Sequence, residues 1–228
     1  MSRQKKTRTK STDRTPPRHS RRLQQVRARI AAEAARIMAT EGQLNFHAAK
    51  KKAAQRCGVS DRLALPSNME VEESLRTYQS LYGGAAHRDN LDQLRRTAVR
   101  AMQILEAFHP RLVGPVLEGT AAPHSRIALH AFADSPDALI LHFLEHGEPF
   151  RQEQRQIRWH NGEFRTIQLM VFDLDEVEIE VALFELKDRR QAPPSPVDGK
   201  PQRRASEEDL KALLADPFLL QRQTSSRS

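Results

Sequence analysis

The sequence predicts an α+β protein, with a helical amino-terminal subdomain followed by a mixed β-sheet domain. Three observations carry that expectation. Apolar residues recur every three or four positions up to Phe108, the spacing of a helical face. Beyond Pro110 they contract into short apolar runs of strand length. His160-Asn161-Gly162 then separates two strand-like runs, and Asn-Gly in that position is a hairpin signal.

Taken in order, Leu23, Val26, Ile30, Ala34, Ile37 and Met38 line one face of a first helix, which Gly42 ends. A second helix is predicted over 46–57, stopped by Gly58, with a break at Pro66. Residues 70–82 give a third helix, with Val71, Leu75, Tyr78 and Tyr82 inward, and Gly83-Gly84 a hinge or loop. Leu91, Leu94, Ala98, Met102, Leu105 and Phe108 define a fourth, broken at Pro110. Residues 112–117 and 127–132 read as buried strands, and Pro136 opens a helix through His146. Residues 155–159 and 163–172 form the hairpin. Val177, Ile179, Val181 and Leu183 alternate with Glu178, Glu180 and Ala182, so the last strand has one apolar face and one that starts acidic. Residues 187–206 hold four prolines and read as a loop; Ser206 caps a final helix holding Leu210, Leu213 and Leu214. The expected organisation is a tail at 1–22, a helical subdomain at 23–90, a sheet domain at 91–186, and a Pro-rich loop, short helix and frayed end at 187–228.

Composition narrows the function classes. No apolar run approaches the roughly 20 residues of a membrane span, and the Met1-Ser-Arg-Gln-Lys-Lys start lacks the apolar middle of a signal peptide. With Cys57 as the one cysteine, no internal disulfide can form. A cytoplasmic protein without membrane partners is expected.

The charge is unevenly placed. Of 37 basic and 29 acidic residues, positions 1–22 hold nine and one, so residues 23–228 carry 28 of each and are formally neutral. The tail, with Arg3, Lys5, Lys6, Arg8 and Lys10 at its start, lacks the apolar surface to offset its ordering entropy. It reads as a disordered, nucleic-acid-binding extension whose grip on phosphate would be salt-sensitive and sequence-blind, or as a solubilising one.

The order of elements over 95–184, with Leu117-Glu118-Gly119-Thr120 before one strand and Ser125-Arg126-Ile127-Ala128-Leu129 opening the next, resembles the polymerase-beta-like nucleotidyltransferases, especially their minimal bacterial members. The resemblance implies a nucleotidyltransferase-like sheet domain. In that family a strand-end Gly-Ser approaches the nucleotide phosphates. Two alternate carboxylates on the next strand, with a third on a later strand, clamp divalent metal. Here Gly119 and Thr120 stand for the Gly-Ser pair, Arg126 and Ala128 occupy the two carboxylate positions, and Glu178 or Glu180 supplies the third. Only a catalytically active member would need magnesium. A degenerate member could still bind nucleotide or nucleic-acid phosphate through Gly119, Thr120, Ser125 and Arg126.

Stretches including Ala48-Ala-Lys-Lys-Lys-Ala-Ala-Gln-Arg-Cys-Gly-Val, Pro110-Arg-Leu-Val-Gly-Pro-Val-Leu-Glu-Gly-Thr-Ala and Ser195-Pro-Val-Asp-Gly-Lys-Pro also resemble an uncharacterised proteobacterial family over 25–215. Its members carry the names nucleotidyltransferase or UDP-N-acetylmuramate-alanine ligase. The ligase name finds no Gly-x-x-x-x-Gly-Lys-Ser/Thr phosphate loop in this chain.

Two other patterns give different functions. Residues 30–59, with Lys50-Lys51-Lys52, are similar to the start of helix-turn-helix DNA-binding regulators, although lysines grip phosphate and do not read bases. His142-Phe-Leu-Glu145-His146 matches the inverted zinc-protease pattern, with His142 and His146 as ligands and Glu178 or Glu180 as the third. Its alternative is a helix end whose histidines favour the negative dipole terminus.

Overall fold

The computed structural model describes residues 18–43, 45–59 and 64–216. The tail residues Arg3, Lys5, Lys6, Arg8 and Lys10, and the end expected to fray beyond 216, lie outside them. The first helix, α1 (Arg18–Glu41), starts inside the segment assigned to the tail and ends before Gly42, whose φ of 67° suits glycine. Helix α2 (Phe46–Arg56) is capped by Asn45, whose side chain accepts from the Ala48 amide. Helix α3 (Asn68–Tyr78) opens on a capping box, Ser67 and Glu70 satisfying each other's backbone donors. Ile30, Ala34, Ile37, Ala49, Ala53, Val71 and Leu75 form the core of this three-helix unit. Alanines at the contacts let the helices approach closely.

Where a hinge or loop was expected, one π-helical turn (Gln79–Gly83) leads through Gly84 at φ 53° into α4 (Gly84–Ile104). The apolar run 112–117 is not one strand. Strand β1 (Arg111–Val113) stops at Gly114 (φ 71°), and Pro115 starts the short helix α5 (Pro115–Glu118), because proline at a first helical position loses no needed donor. Strand β2 (Ile127–Phe132), helix α6 (Pro136–Glu145), strands β3 (Arg151–Arg158), β4 (Phe164–Leu174) and β5 (Val177–Phe184), and helix α7 (Glu207–Ala215) complete the order.

The five strands lie in the order β1-β2-β5-β4-β3. β2 and β5 are parallel and the other neighbours antiparallel, so the sheet is mixed and the protein α+β. Ile127, Leu129, Ile179, Val181, Met170 and Phe172 face α4, α6 and α7, and with Leu94, Met102, Leu139, Phe143 and Leu210 they make the main core. Residues at the alternate positions point to the opposite face. There the segment 187–206 is more than a loop. It runs from a 3₁₀ turn (Leu186–Arg189) back to β1, where Leu112 and Ala205 exchange two backbone hydrogen bonds of 2.9 Å. This strap covers a second cluster of Phe132, Trp159, Ile167, Leu169 and Phe184. No described helix is long and apolar enough to cross a membrane.

Candidate functional site

The face turned away from the helices carries the expected positions. Register places Ala128 beside Glu180, Glu180 beside Val171, and Val171 beside Arg151 across four strands. Arg126, one step before β2, reaches over to β5. Its Nε pairs with Glu178, while one terminal nitrogen lies 3.4 Å from Glu180 and 3.9 Å from Glu153. Arg155 holds Glu180 in a two-pronged pair of 2.7 and 2.6 Å, and Arg151 pairs with Glu178. Three arginines and three glutamates thus form one lattice over β2, β5 and β3. Glu180 is buried within it at 8% side-chain exposure, while the Arg126, Arg151 and Arg155 side chains remain 37%, 58% and 51% exposed.

Arg126, Glu178 and Glu180 therefore meet, in a chemistry different from a metal clamp. A divalent ion does not fit these residues. Two of the three ligand positions are a guanidinium and a methyl group, and both β5 carboxylates are already neutralised by arginine. Among the described residues no group of three His, Cys, Asp or Glu side chains could hold a metal ion.

The phosphate-binding amides do not stand where the sequence placed them. Gly119 is the left-handed cap of α5, and the amides of Gly119 and Thr120 both donate to the Pro115 carbonyl. The Gly119 carbonyl contacts His87 Nε2 at 3.2 Å, and the Thr120 carbonyl accepts from Gln79. Ser125 is buried; its amide donates to Ala122 and its Oγ accepts from the Ala122 amide. Gly119, Thr120 and Ser125 thus spend these groups in holding the 115–125 segment together. Arg95, buried on α4, holds the segment from behind by donating to the Val116 carbonyl at 3.3 Å, and its burial lowers its pKa. The glycine that ends a strand is Gly114. A side chain there would come within 3.9 Å of Ala128, and the next residue, Pro115, has no amide hydrogen to offer a phosphate. Sequence reasoning missed Gly114, Arg151, Glu153 and Arg155. The last three sit two apart, a spacing that puts them on one strand face, but nothing in the sequence says which face.

The zinc pattern does not assemble. His142 on α6 and His146, which caps it, lie 4.3 Å apart at their ring centres, His146 Nδ1 lies 2.7 Å from the His142 carbonyl, and the His142 ring packs on Phe108. Glu178 and Glu180, the third-ligand candidates, are on the opposite side of the sheet. The stretch that resembles helix-turn-helix regulators falls on α1 and α2. Lys52 and Arg56 on α2 pair with Glu41 of α1, Arg56 also with Glu33, and Lys50 donates to Asn68, so much of the basic face is tied within the bundle.

A buried polar group lies beside the lattice on the same face. Arg204 of the strap stacks over Phe132 and Phe184 with its guanidinium carbon 4.9 and 5.5 Å from the ring centres, and it donates to His130 Nδ1 at 3.0 Å and to the Asp188 carbonyl at 2.8 Å. Burial first, then the charges of Arg204 and Arg155, push His130 down to about 3. An imidazole accepting at Nδ1 has to be neutral there.

No protein-family model matches the chain, and no curated protein matches it. Six solved chains match. One is the Cid1 poly(U) polymerase in a crystal structure with MgGTP bound. It is 18% identical, with a TM-score of 0.28 over 42% of this chain and 32% of that chain. The present chain spans about a third of that polymerase. At this level the likeness says nothing about the site.

Proposed function

We propose that this protein is a degenerate nucleotidyltransferase-like protein that binds the phosphate of a nucleotide or nucleic acid without a metal ion, Arg126 serving as a built-in cation. The observation that carries the reading is the Arg126–Glu180 contact. A guanidinium sits between β2 and β5, where the resemblance calls for carboxylates around magnesium, and its charge is balanced by Glu178 and Glu180, the two candidates for the third ligand. Arg151 and Arg155 flank it with exposed side chains. An incoming phosphate would exchange glutamate oxygens for phosphate oxygens of similar fork geometry. The basic stretch at 1–17, outside the described residues, would add a salt-sensitive contribution from phosphate contacts.

Thermal denaturation with ATP, UTP, GTP and a short single-stranded RNA, each with magnesium or with a chelator, tests this. Stabilisation that survives chelation and disappears in Arg126→Ala is the expected result. If no ligand stabilises the protein, or if stabilisation requires magnesium, the proposal fails. Deletion of residues 1–17 should flatten the salt dependence of RNA binding while leaving nucleotide binding in place.

A further inference from the structure

The two edges of the sheet are treated differently. β1 is closed on its outer side by the strap, through the paired hydrogen bonds of Leu112 and Ala205. β3 is the outermost strand at the other end, and among the described residues nothing pairs with its free side. It is eight residues long, contains no proline, and keeps unbroken register with β4 from Arg151 to Arg158, so no bulge interrupts it. Natural edge strands are usually short, bulged, interrupted by proline or marked by charges, and charges repel a second copy only where like faces like. This one alternates sign along one face, Arg151, Glu153, Arg155, and presents Gln152, Gln154 and Gln156 exposed on the other.

We infer that β3 is a self-complementary edge, pairing antiparallel with β3 of a second copy of this chain about a two-fold axis at Gln154 to make one continuous ten-stranded sheet. The register follows from the residues. Pairing about Gln154 sets Glu153 opposite Arg155 of the second copy and Arg155 opposite its Glu153, with Gln152 opposite Gln156 on the other face. Centring one residue earlier sets Glu153 against Glu153, and one residue later sets Arg155 against Arg155. Directly opposed like charges destabilise a sheet as opposite charges support it. Centring on Gln152 or Gln156 shortens the overlap. Glu153 is also the least engaged carboxylate of the lattice, 3.9 Å from Arg126 and 40% exposed, so it has acceptor capacity to give. Such an interface is isologous, as a closed dimer requires.

Light scattering on the full chain should show a concentration-dependent dimer. Glu153→Arg, which faces Arg155 with a like charge, should weaken it by about tenfold or more. Cross-linking reads the register independently. In a Cys57→Ser background treated with oxidised glutathione, Gln154→Cys should cross-link to itself, because directly opposed Cα atoms lie ~4.5–5.5 Å apart, within disulfide reach. Gln152→Cys alone should not, but a mixture of the Gln152→Cys and Gln156→Cys proteins should. A wild-type chain that stays monomeric up to its solubility limit overturns the inference. So does a dimer that ignores Glu153→Arg, or one whose Gln154→Cys form fails to cross-link.

Discussion

The face of the sheet turned away from the helices has two halves, and both are built on arginine. In the half over Glu178 and Glu180, three guanidinia meet three carboxylates and keep much of their surface in water. In the half under the strap, Arg204 lies on Phe132 and Phe184 and Arg165 lies 4.0 Å over the Trp159 ring centre, with a carbonyl, an imidazole and Asp188 as their polar partners. Burial lowers Arg204 to about 10, while the nearby Asp188 pulls the other way. The same side chain is therefore a fastener in one half and an exchangeable charge in the other. What differs is that Arg204 and Arg165 lie on aromatic rings, with the Arg204 donors on a carbonyl and an imidazole, whereas the lattice arginines rest on carboxylates that a competing anion could replace.

Removing the fastener should have the largest effect. Arg204→Ala strips the ring stacking, leaves His130 Nδ1 without its donor and leaves the Asp188 carbonyl to the Gln191 amide at 3.3 Å, for an expected loss of about 2–4 kcal/mol. Urea denaturation measures it. Arg204→Lys should recover only part, because an ammonium cannot stack on two rings and fork to two acceptors. If Arg204→Ala costs no more than a surface substitution, the strap is not held as described.

His130 sharpens the same contrast through pH. Its folded pKa lies below its unfolded one, so between about 6.5 and 3 the unfolded chain binds the extra proton. Stability from this group is therefore fully present above the unfolded pKa and is lost as pH falls through that window, at up to about 1.4 kcal/mol per pH unit. His130→Asn keeps an uncharged acceptor and should remove that slope from the wild-type profile. Equal acid sensitivity in the two proteins would show that His130 is free to charge in the fold.

These two halves were unequally legible in the sequence. The strand 127–132, the alternation of 177–184 and the Ser206 cap need only local periodicity or one capping side chain, and each appears at the expected place. The run 112–117 has too few residues for a period, and Gly114-Pro115 cuts it into strand and helix, which moved the strand-end glycine away from Gly119. The Arg126–Glu178–Glu180 meeting followed from the resemblance and the alternation of one strand. Its arginines from β3 needed the order β2-β5-β4-β3, which is set by long-range pairing. The strap was least legible, because its fixed position depends on Arg204, Ala205 and Asn68 finding partners far along the chain, Asn68 donating to the Pro196 carbonyl at 2.6 Å.

In the exposed half the expected changes are smaller. Glu180→Gln leaves Arg155 one good acceptor and leaves Arg126 held by Glu178, so a loss of about 1 kcal/mol is expected. The result should be a lattice with one more net positive charge, and phosphate binding should tighten as stability falls. Stability and affinity moving down together would mean that Glu180 shapes the site and does not compete for it.

The smallest expected effect is the most diagnostic of the comparison. Arg151 is the most exposed of the three arginines, and its pair with Glu178 lies on the solvent side. Arg151→Ala should change stability by no more than about 0.5 kcal/mol, as exposed ion pairs generally do, and 0.5 M salt should leave that difference near zero. Nucleotide or RNA affinity should nevertheless fall, because a phosphate displaces glutamate only where several guanidinia take over its charge. A stability cost like that of Arg204→Ala would mean that the lattice holds the sheet together in the way the strap does, and that its arginines are not available to a ligand. A neutral stability with unchanged affinity would confine ligand contact to Arg126 and Arg155.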